Sequence, residues 1–434
     1  MKNFSKKMIS IEDFFELNSD GVYYCGHASI IARICCRNYL FDYVEDSLPY
    51  GDRWRFFPKL VENIPLDKID GIFVSHLHQD HFDPLFLGSN DVQCPVYVIG
   101  GRSSFESALH HHGIKHVSIP AGVKTEIAPN VYVYGLLHPT NGIDASCCIG
   151  NQNFSVYHGN NNYLPNESLA SIDSEFTYID IACIPYAYIN WYPQLLDNLS
   201  INEKQSESER LCKFYFEYAI EQADYLKAAQ IIPFGANLVY KDSARSPLNL
   251  ECKTPLDFES YIHKNRGVYQ AARFKALFSG DVIVKNMGSL DIHSADLYDE
   301  ETYRDKMQEF LAGMVHKPIF NEEKNERFHP TILPITNIKN PTRFEHFICV
   351  SLAGSKEGVM INTKTSKAEK LDFGYINHQK IDFHHFTVKN PEIYSKWIHG
   401  DLRFEEVIGS REFSLLRNPN IYNKEVLFIA TTQI

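Results

Sequence analysis

No C-x-x-C pair occurs in this chain, although it holds ten cysteines, at positions 25, 35, 36, 94, 147, 148, 183, 212, 252 and 349. That spacing excludes a zinc ribbon and a dithiol redox motif, and leaves buried, reduced thiols as the expectation, the adjacent doublets lying within strand-like runs. Long apolar runs are missing too. No stretch reaches about 18 apolar residues, so nothing is expected to span a membrane. The opening MKNFSKKMISIEDFFEL is charged and amphipathic, without the apolar core or small-residue cleavage site of a secretory leader, and reads as a short helix over 5–18. Positive charge is in deficit: 42 Lys and Arg stand against 54 Asp and Glu, a formal balance of −12. An affinity for nucleic acid through a broad basic face is therefore not expected. Internal repeats and low-complexity tracts are absent as well. A soluble cytoplasmic protein acting on a small molecule is the expectation, and nothing speaks to its oligomeric state.

What is present is ordinary in amount and particular in arrangement. Apolar residues make up 44% of 434, enough for a sizeable core and for two domains. From Gly21 to Tyr43 apolar β-formers dominate around the turn-like Cys25-Gly26-His27-Ala28, with Arg37-Asn38 separating later strand-like runs, which reads as a hairpin or meander. A helix is expected near 59–68, strands at 71–74 and 95–100, and a helix at 101–113 whose His110, His111 and His112 point in different directions and form a solvated end. Alternating segments follow up to about residue 157, then a strand at 178–185, an aromatic loop from Tyr186 to Tyr192, and the longest helical signal at 202–229. Leu211, Phe214, Tyr218 and Tyr225 mark its apolar stripe. Residues 239–267 read as a polar loop, and the Ser279-Gly280-Asp281 turn follows the long helix. A helix near 300–315 precedes the charge run NEEKNERF, where composition shifts and a linker is expected. The division is 1–319 and 320–434, the second part a smaller α+β unit. Strands and helices alternating with strand-rich blocks suggest helices covering packed sheets, an α/β protein.

The stretch GIFVSHLHQDHFD, at 71–83, carries the chemistry. A short apolar β-prone run ends at Ser75, and His76, His78, Asp80 and His81 then arrive within six positions. Three imidazoles and a carboxylate at a strand's end are hard to explain by packing, and those side chains bind zinc or iron well. His138 follows Tyr-Gly-Leu-Leu and also sits at a strand end, which makes it a further metal ligand. His27 and Asp42 are weaker candidates, with a hydrogen-bonded structural role as the alternative.

H-x-H-x-D-H after a buried strand resembles the metallo-β-lactamase superfamily, and GHAS at 26–29 with the strand ending in Phe41-Asp42 resembles its broad hydrolase branch. The resemblance implies an αββα sandwich with metals at one edge of the sheets. It implies that His76, His78 and His138 hold a first metal, and that Asp80 and His81 contribute to a second. An Asp expected to bridge the two is replaced by Asn160, in Tyr157-His158-Gly159-Asn160-Asn161. The family's last His, after the long helix, would fall at Ile232-Pro233-Phe234-Gly235, where none stands, and His263 is the nearest later one. Further stretches, HPTNGIDASCCIG and KWIHGDLRFEEVIGSREFSLLRNPNIYN among them, are similar to the metallo-β-lactamase-like part of CMP-N-acetylneuraminate hydroxylases, without the Cys-His pairs of their Rieske domain. The C-terminal block resembles a sterol-carrier-type lipid-binding module. Three functions follow as expectations. One is a hydrolase of an ester, lactone or phosphoester, using one or two zinc or iron ions with Asp80 orienting water. Another is a non-haem iron oxygenase, and the third a ligand-binding protein on a degraded scaffold.

Overall fold

The computed structural model describes residues 8–45, 53–139, 144–187, 191–241, 249, 253–314, 342–372, 381–419, 426 and 430. Gly21–Gly26, Ser29–Ile34 and Arg37–Phe41 form the expected antiparallel meander. Its second turn is Cys35-Cys36, not Arg37-Asn38: both cysteines are exposed and hold positive φ, so this doublet is a turn and not a buried pair. From Arg37–Phe41 the sheet continues in parallel through Gly71–Phe73, Val96–Ile99 and His116–Ile119. On its other side Val282–Asn286 and Ser289–His293 add antiparallel strands, completing eight.

A second sheet of six strands runs Gln230–Phe234, Ile181–Pro185, Ser155–His158, Ala145–Gly150, Val131–Leu137 and Thr125–Ala128. The two sheets meet face to face. Val22, Tyr24, Ile30 and Phe41 pack against Val133, Cys147, Val156, Cys183 and Phe234. The outer face of the first sheet is covered by Phe14, Phe105 and Leu109 from helices Ile11–Phe15 and Ser103–His111. That of the second is covered by Leu169, Phe216 and Phe258 from helices Asn166–Glu175, Ile201–Leu226 and Pro255–Asn265. Each such side chain contributes about 1.5–3 kcal/mol on burial. The architecture is the αββα sandwich.

Three local expectations need correction. Over 59–68 there is only a single 3-10 turn, Leu66–Lys68, because Pro58 and Pro65 interrupt the run. Within 239–267 lies the helix Pro255–Asn265, begun by Thr254 and Asp257 capping each other, with Pro255 in the first turn. On the long helix the buried line is Phe216, Ala219, Ile220, Ala223 and Leu226, while Phe214 is 54% exposed. Tyr218 faces sideways, its hydroxyl donating to Leu164 O at 2.7 Å.

A third sheet of five strands, ordered Ala368–Asp372, Glu357–Asn362, Phe347–Leu352, Phe383–Val388, Phe413–Asn418, has its own core with Trp397 and Phe404 from helices Pro391–Ile398 and Phe404–Ser410. Trp191, Leu195 and Leu196 of the first part enter that core. The division expected at 319–320 and the NEEKNERF run lie outside the described residues. No helix among the described residues is long and apolar enough to cross a membrane.

Candidate metal centre

The site residues gather where strands end. Arg37–Phe41 and Gly71–Phe73 are parallel neighbours, so Asp42 and the 75–83 loop leave the first sheet at one edge. Ser155–His158 brings Asn160 and Asn161 from the facing sheet to the same edge. Carboxyl ends of parallel strands commonly hold ligands, because the loops there converge. His27, Asp42 and Asn160 all take left-handed backbone angles, with φ of 52, 43 and 53°. Such angles cost about 1–2 kcal/mol outside glycine and gather at functional sites.

Among the described residues, ligand atoms within 4.8 Å of one another form two groups: His76, His78 and Asp144, and His27, Asp80 and His81. In the first, His76 Nε2 lies 2.6 Å from His78 Nδ1 and 3.6 Å from Asp144 Oδ1. The tautomer of His76 follows from its other nitrogen. Ser75 Oγ spends its single proton on Asp42 Oδ2 at 2.6 Å, so at 2.9 Å it accepts from His76 Nδ1–H. The Nε2 lone pair is thereby turned toward His78 and Asp144. Burial and the neighbouring His78 hold the imidazole of His76 neutral, well below its ordinary range. Asp144 Oδ1 is buried with no hydrogen-bond partner, and burial raises its carboxyl. Two ring nitrogens at 2.6 Å beside a carboxylate oxygen lacking a donor are a set that a cation satisfies.

The second group is hydrogen-bonded throughout. Asn237 N–H donates to His27 Nδ1 at 3.2 Å, which puts the proton of the neutral ring on Nε2, and Nε2–H donates to Asp80 Oδ2 at 3.0 Å. Burial lowers the pKa of His27 despite Asp80, so the neutral form stands. His81 Nδ1–H donates to Asp42 Oδ2 at 3.0 Å, while its Nε2 lies 3.3 Å from Asp80 Oδ2 and 3.0 Å from the Asn161 side-chain nitrogen. Burial opposes protonation of His81, yet Asp80 and Asp42 outweigh it and raise its pKa to about 10. Asp80, also buried, is held well below the usual carboxylate range by His81 and His27. Asp42 orients both groups at once, through Ser75 to His76 and directly to His81.

His138 is not brought into either group. It is half-buried at the end of Val131–Leu137, close enough to pull the pKa of Asp144 down against the burial that raises it, and Asp144 faces it across the hairpin because Ala145 pairs with Leu137. Asn160 is fully buried: its side-chain nitrogen donates to Ala145 O at 3.2 Å and lies 3.3 Å from His76 Nδ1, while Oδ1 lacks a hydrogen-bond partner. His263 is exposed on its helix, away from either group, and His110, His111 and His112 are exposed as expected. Asp281 is buried in its turn, accepting from Phe278 N–H at 2.8 Å. Sequence reading missed Asp144, Ser75, Asn161 and Arg102. Arg102 donates to Ser75 O and to Ile99 O and pins the start of the ligand loop. The signal for Asp144 was its place opposite His138 in a hairpin.

No family model matches the sequence, and no curated protein matches it. Among solved structures the chain is similar to a metallo hydrolase from the archaeon Ignicoccus hospitalis, at 13% identity and TM-score 0.41 over 62% of this chain and 99% of that one. It is also similar to the metallo-β-lactamase fold protein YhfI from Bacillus subtilis, at 13% identity and TM-score 0.37 over 62% of this chain and 100% of that one. A third is CmlA, a diiron β-hydroxylase from Streptomyces venezuelae, at 16% identity and TM-score 0.39, over 62% of this chain but 54% of CmlA. At such identities the likeness is one of fold.

Proposed function

We propose that this chain is a metal-dependent hydrolase of an ester, lactone or phosphoester, with a zinc or iron ion held by His76, His78 and Asp144. The observation that carries the reading is the partnerless Asp144 Oδ1 lying 3.6 Å from the Nε2 of a neutral His76. A divalent cation there supplies Lewis acidity and brings a coordinated water's pKa toward neutrality. The chain's own groups do the rest. Asp42 and Ser75 hold the His76 tautomer that presents Nε2. Asp80 and Asp42 keep His81 charged, and His81 holds the two carboxylates in place behind the ligand loop. Asn160 stands where the family resemblance expects a carboxylate, and its neutral amide weakens any claim on a second ion.

A second reading has an observation of its own. Two histidines and one carboxylate are also the ligand set of non-haem iron oxygenases, and the stretches resembling CMP-N-acetylneuraminate hydroxylases support it. Metal analysis of protein purified without chelator, followed by ester and phosphodiester turnover and by oxygen consumption, separates the two. Zinc with hydrolysis supports the first, and iron with oxygen uptake the second. A protein that takes up no divalent cation defeats both.

A further inference from the structure

We infer that the centre is mononuclear: the His76, His78 and Asp144 group takes one cation, and the His27, Asp80 and His81 group is closed to a second by its own hydrogen bonds. The inference rests on the metal-binding reading above and sharpens it. The two groups occupy one edge of the sandwich, but their bonding differs in kind.

In the first group the carboxylate oxygen beside the two imidazoles is short of a donor. Asp144 Oδ1 is buried with no hydrogen-bond partner, and Asn160, whose amide touches the His76 ring at 3.3 Å, leaves its own buried Oδ1 equally unmatched. Ala145 O accepts from the Asn160 side-chain nitrogen, so turning that amide over would trade one unmatched oxygen for two facing ones. His76 Nε2 and His78 Nδ1 lie 2.6 Å apart, close enough that a proton must sit between them, and a cation bound by both nitrogens would replace that proton.

In the second group each atom that would have to face a cation is already engaged. His27 presents Nε2–H, a donor, because its Nδ1 accepts the Asn237 backbone N–H; a ring so bonded has no lone pair to give on that side. His81 reaches Asp42 through Nδ1, and its Nε2 is enclosed by Asp80 and the Asn161 amide. Asp80 Oδ2 is met by both imidazoles. To bind there an ion would have to break the Asn237–His27 bond, turn the ring or leave it out, and displace Asn161. The carboxylate that could bridge two ions is replaced by the neutral Asn160. His27 is thus a donor that holds Asp80, and not a replacement for the missing last histidine.

The test is a calorimetric titration of the full-length, chelator-treated protein with zinc chloride, repeated with cobalt chloride and read by visible absorption. One equivalent is expected. Asp144→Asn should weaken it at least tenfold and alter the cobalt spectrum, while Asp80→Asn, which still accepts from His27, should leave affinity within threefold. Should Asp144→Asn fail to fold by circular dichroism, His78→Ala, at a half-buried position, takes its place. Two equivalents in the wild-type protein would overturn the inference and leave the metal reading intact. A single equivalent that Asp80→Asn abolishes and Asp144→Asn spares would overturn the assignment of the groups. No binding at all would overturn the metal reading, and this with it.

Discussion

At Ser75 one hydroxyl proton settles which nitrogen of His76 carries its hydrogen. Because it goes to Asp42 at 2.6 Å, His76 must donate through Nδ1 and present Nε2 to its partners. Partners behind a ligand commonly carry a factor of ten to a hundred in metal affinity. Ser75→Ala should therefore weaken zinc binding by about tenfold to a hundredfold without moving the metal, measured by competition with a chromophoric chelator; unchanged affinity would mean that the Ser75 hydroxyl does not set the ring. His81 makes a pH prediction. Its pKa, raised from 6.5 to about 10 in the metal-free protein, means that its proton stabilises the fold fully below pH 6.5 and ceases to do so as pH rises through about 10. Denaturant titrations of metal-free protein between pH 7 and 10 should show stability falling, and His81→Gln should flatten that fall.

At the level of elements, two patterns separate packing from appearance. The long helix carries aromatic residues on several faces, and its sequence puts Phe214, not Phe216, on the apolar stripe. Phe216 is buried against Phe258 while Phe214 is half-exposed beside Tyr218. Phe216→Ala should cost about 3–5 kcal/mol and Phe214→Ala under about 1 kcal/mol, by chemical denaturation. In the third sheet, burial, with His346 and Arg417 nearby, pushes His384 down to about 3, and burial pushes His385 down to about 4 against the pull of Asp197. Both are held neutral in the fold. Their contribution is complete above pH 6.5 and is lost as pH falls toward 4, by up to about 1.4 kcal/mol per pH unit for each. Fluorescence-monitored unfolding between pH 7 and 4.5 should show that loss, and His385→Gln should remove part of it.

Across the whole molecule, the third sheet is tied to the sandwich near the metal loop. Trp54, 2% exposed, donates its indole N–H to Gly409 O at 3.0 Å, the Tyr240 hydroxyl donates to Glu412 at 2.9 Å, and Gln79, between His78 and Asp80, donates to Glu406 at 3.0 Å. Trp54→Ala should split a single thermal unfolding transition into two, seen by calorimetry; one transition at a lower midpoint would place the coupling instead in Trp191, Leu195 and Leu196. The layered fold was legible in the sequence because strand runs and the long helix carry their own periodicity, and the candidate metal loop was legible because three histidines and an aspartate stand within six residues. The weaker pair, His27 and Asp42, could be seen but not assigned a role. The chain by itself determined that His76, His78, Asp80 and His81 gather at the end of one strand. Only the tertiary structure decided that Asp144 faces His76, that His27 donates to Asp80, and that Asp42 orients two rings. The reason is physical: a side chain's partner and tautomer depend on which strand ends meet and which lone pairs are already taken, and those contacts join residues up to 210 positions apart, such as Asn237 with His27.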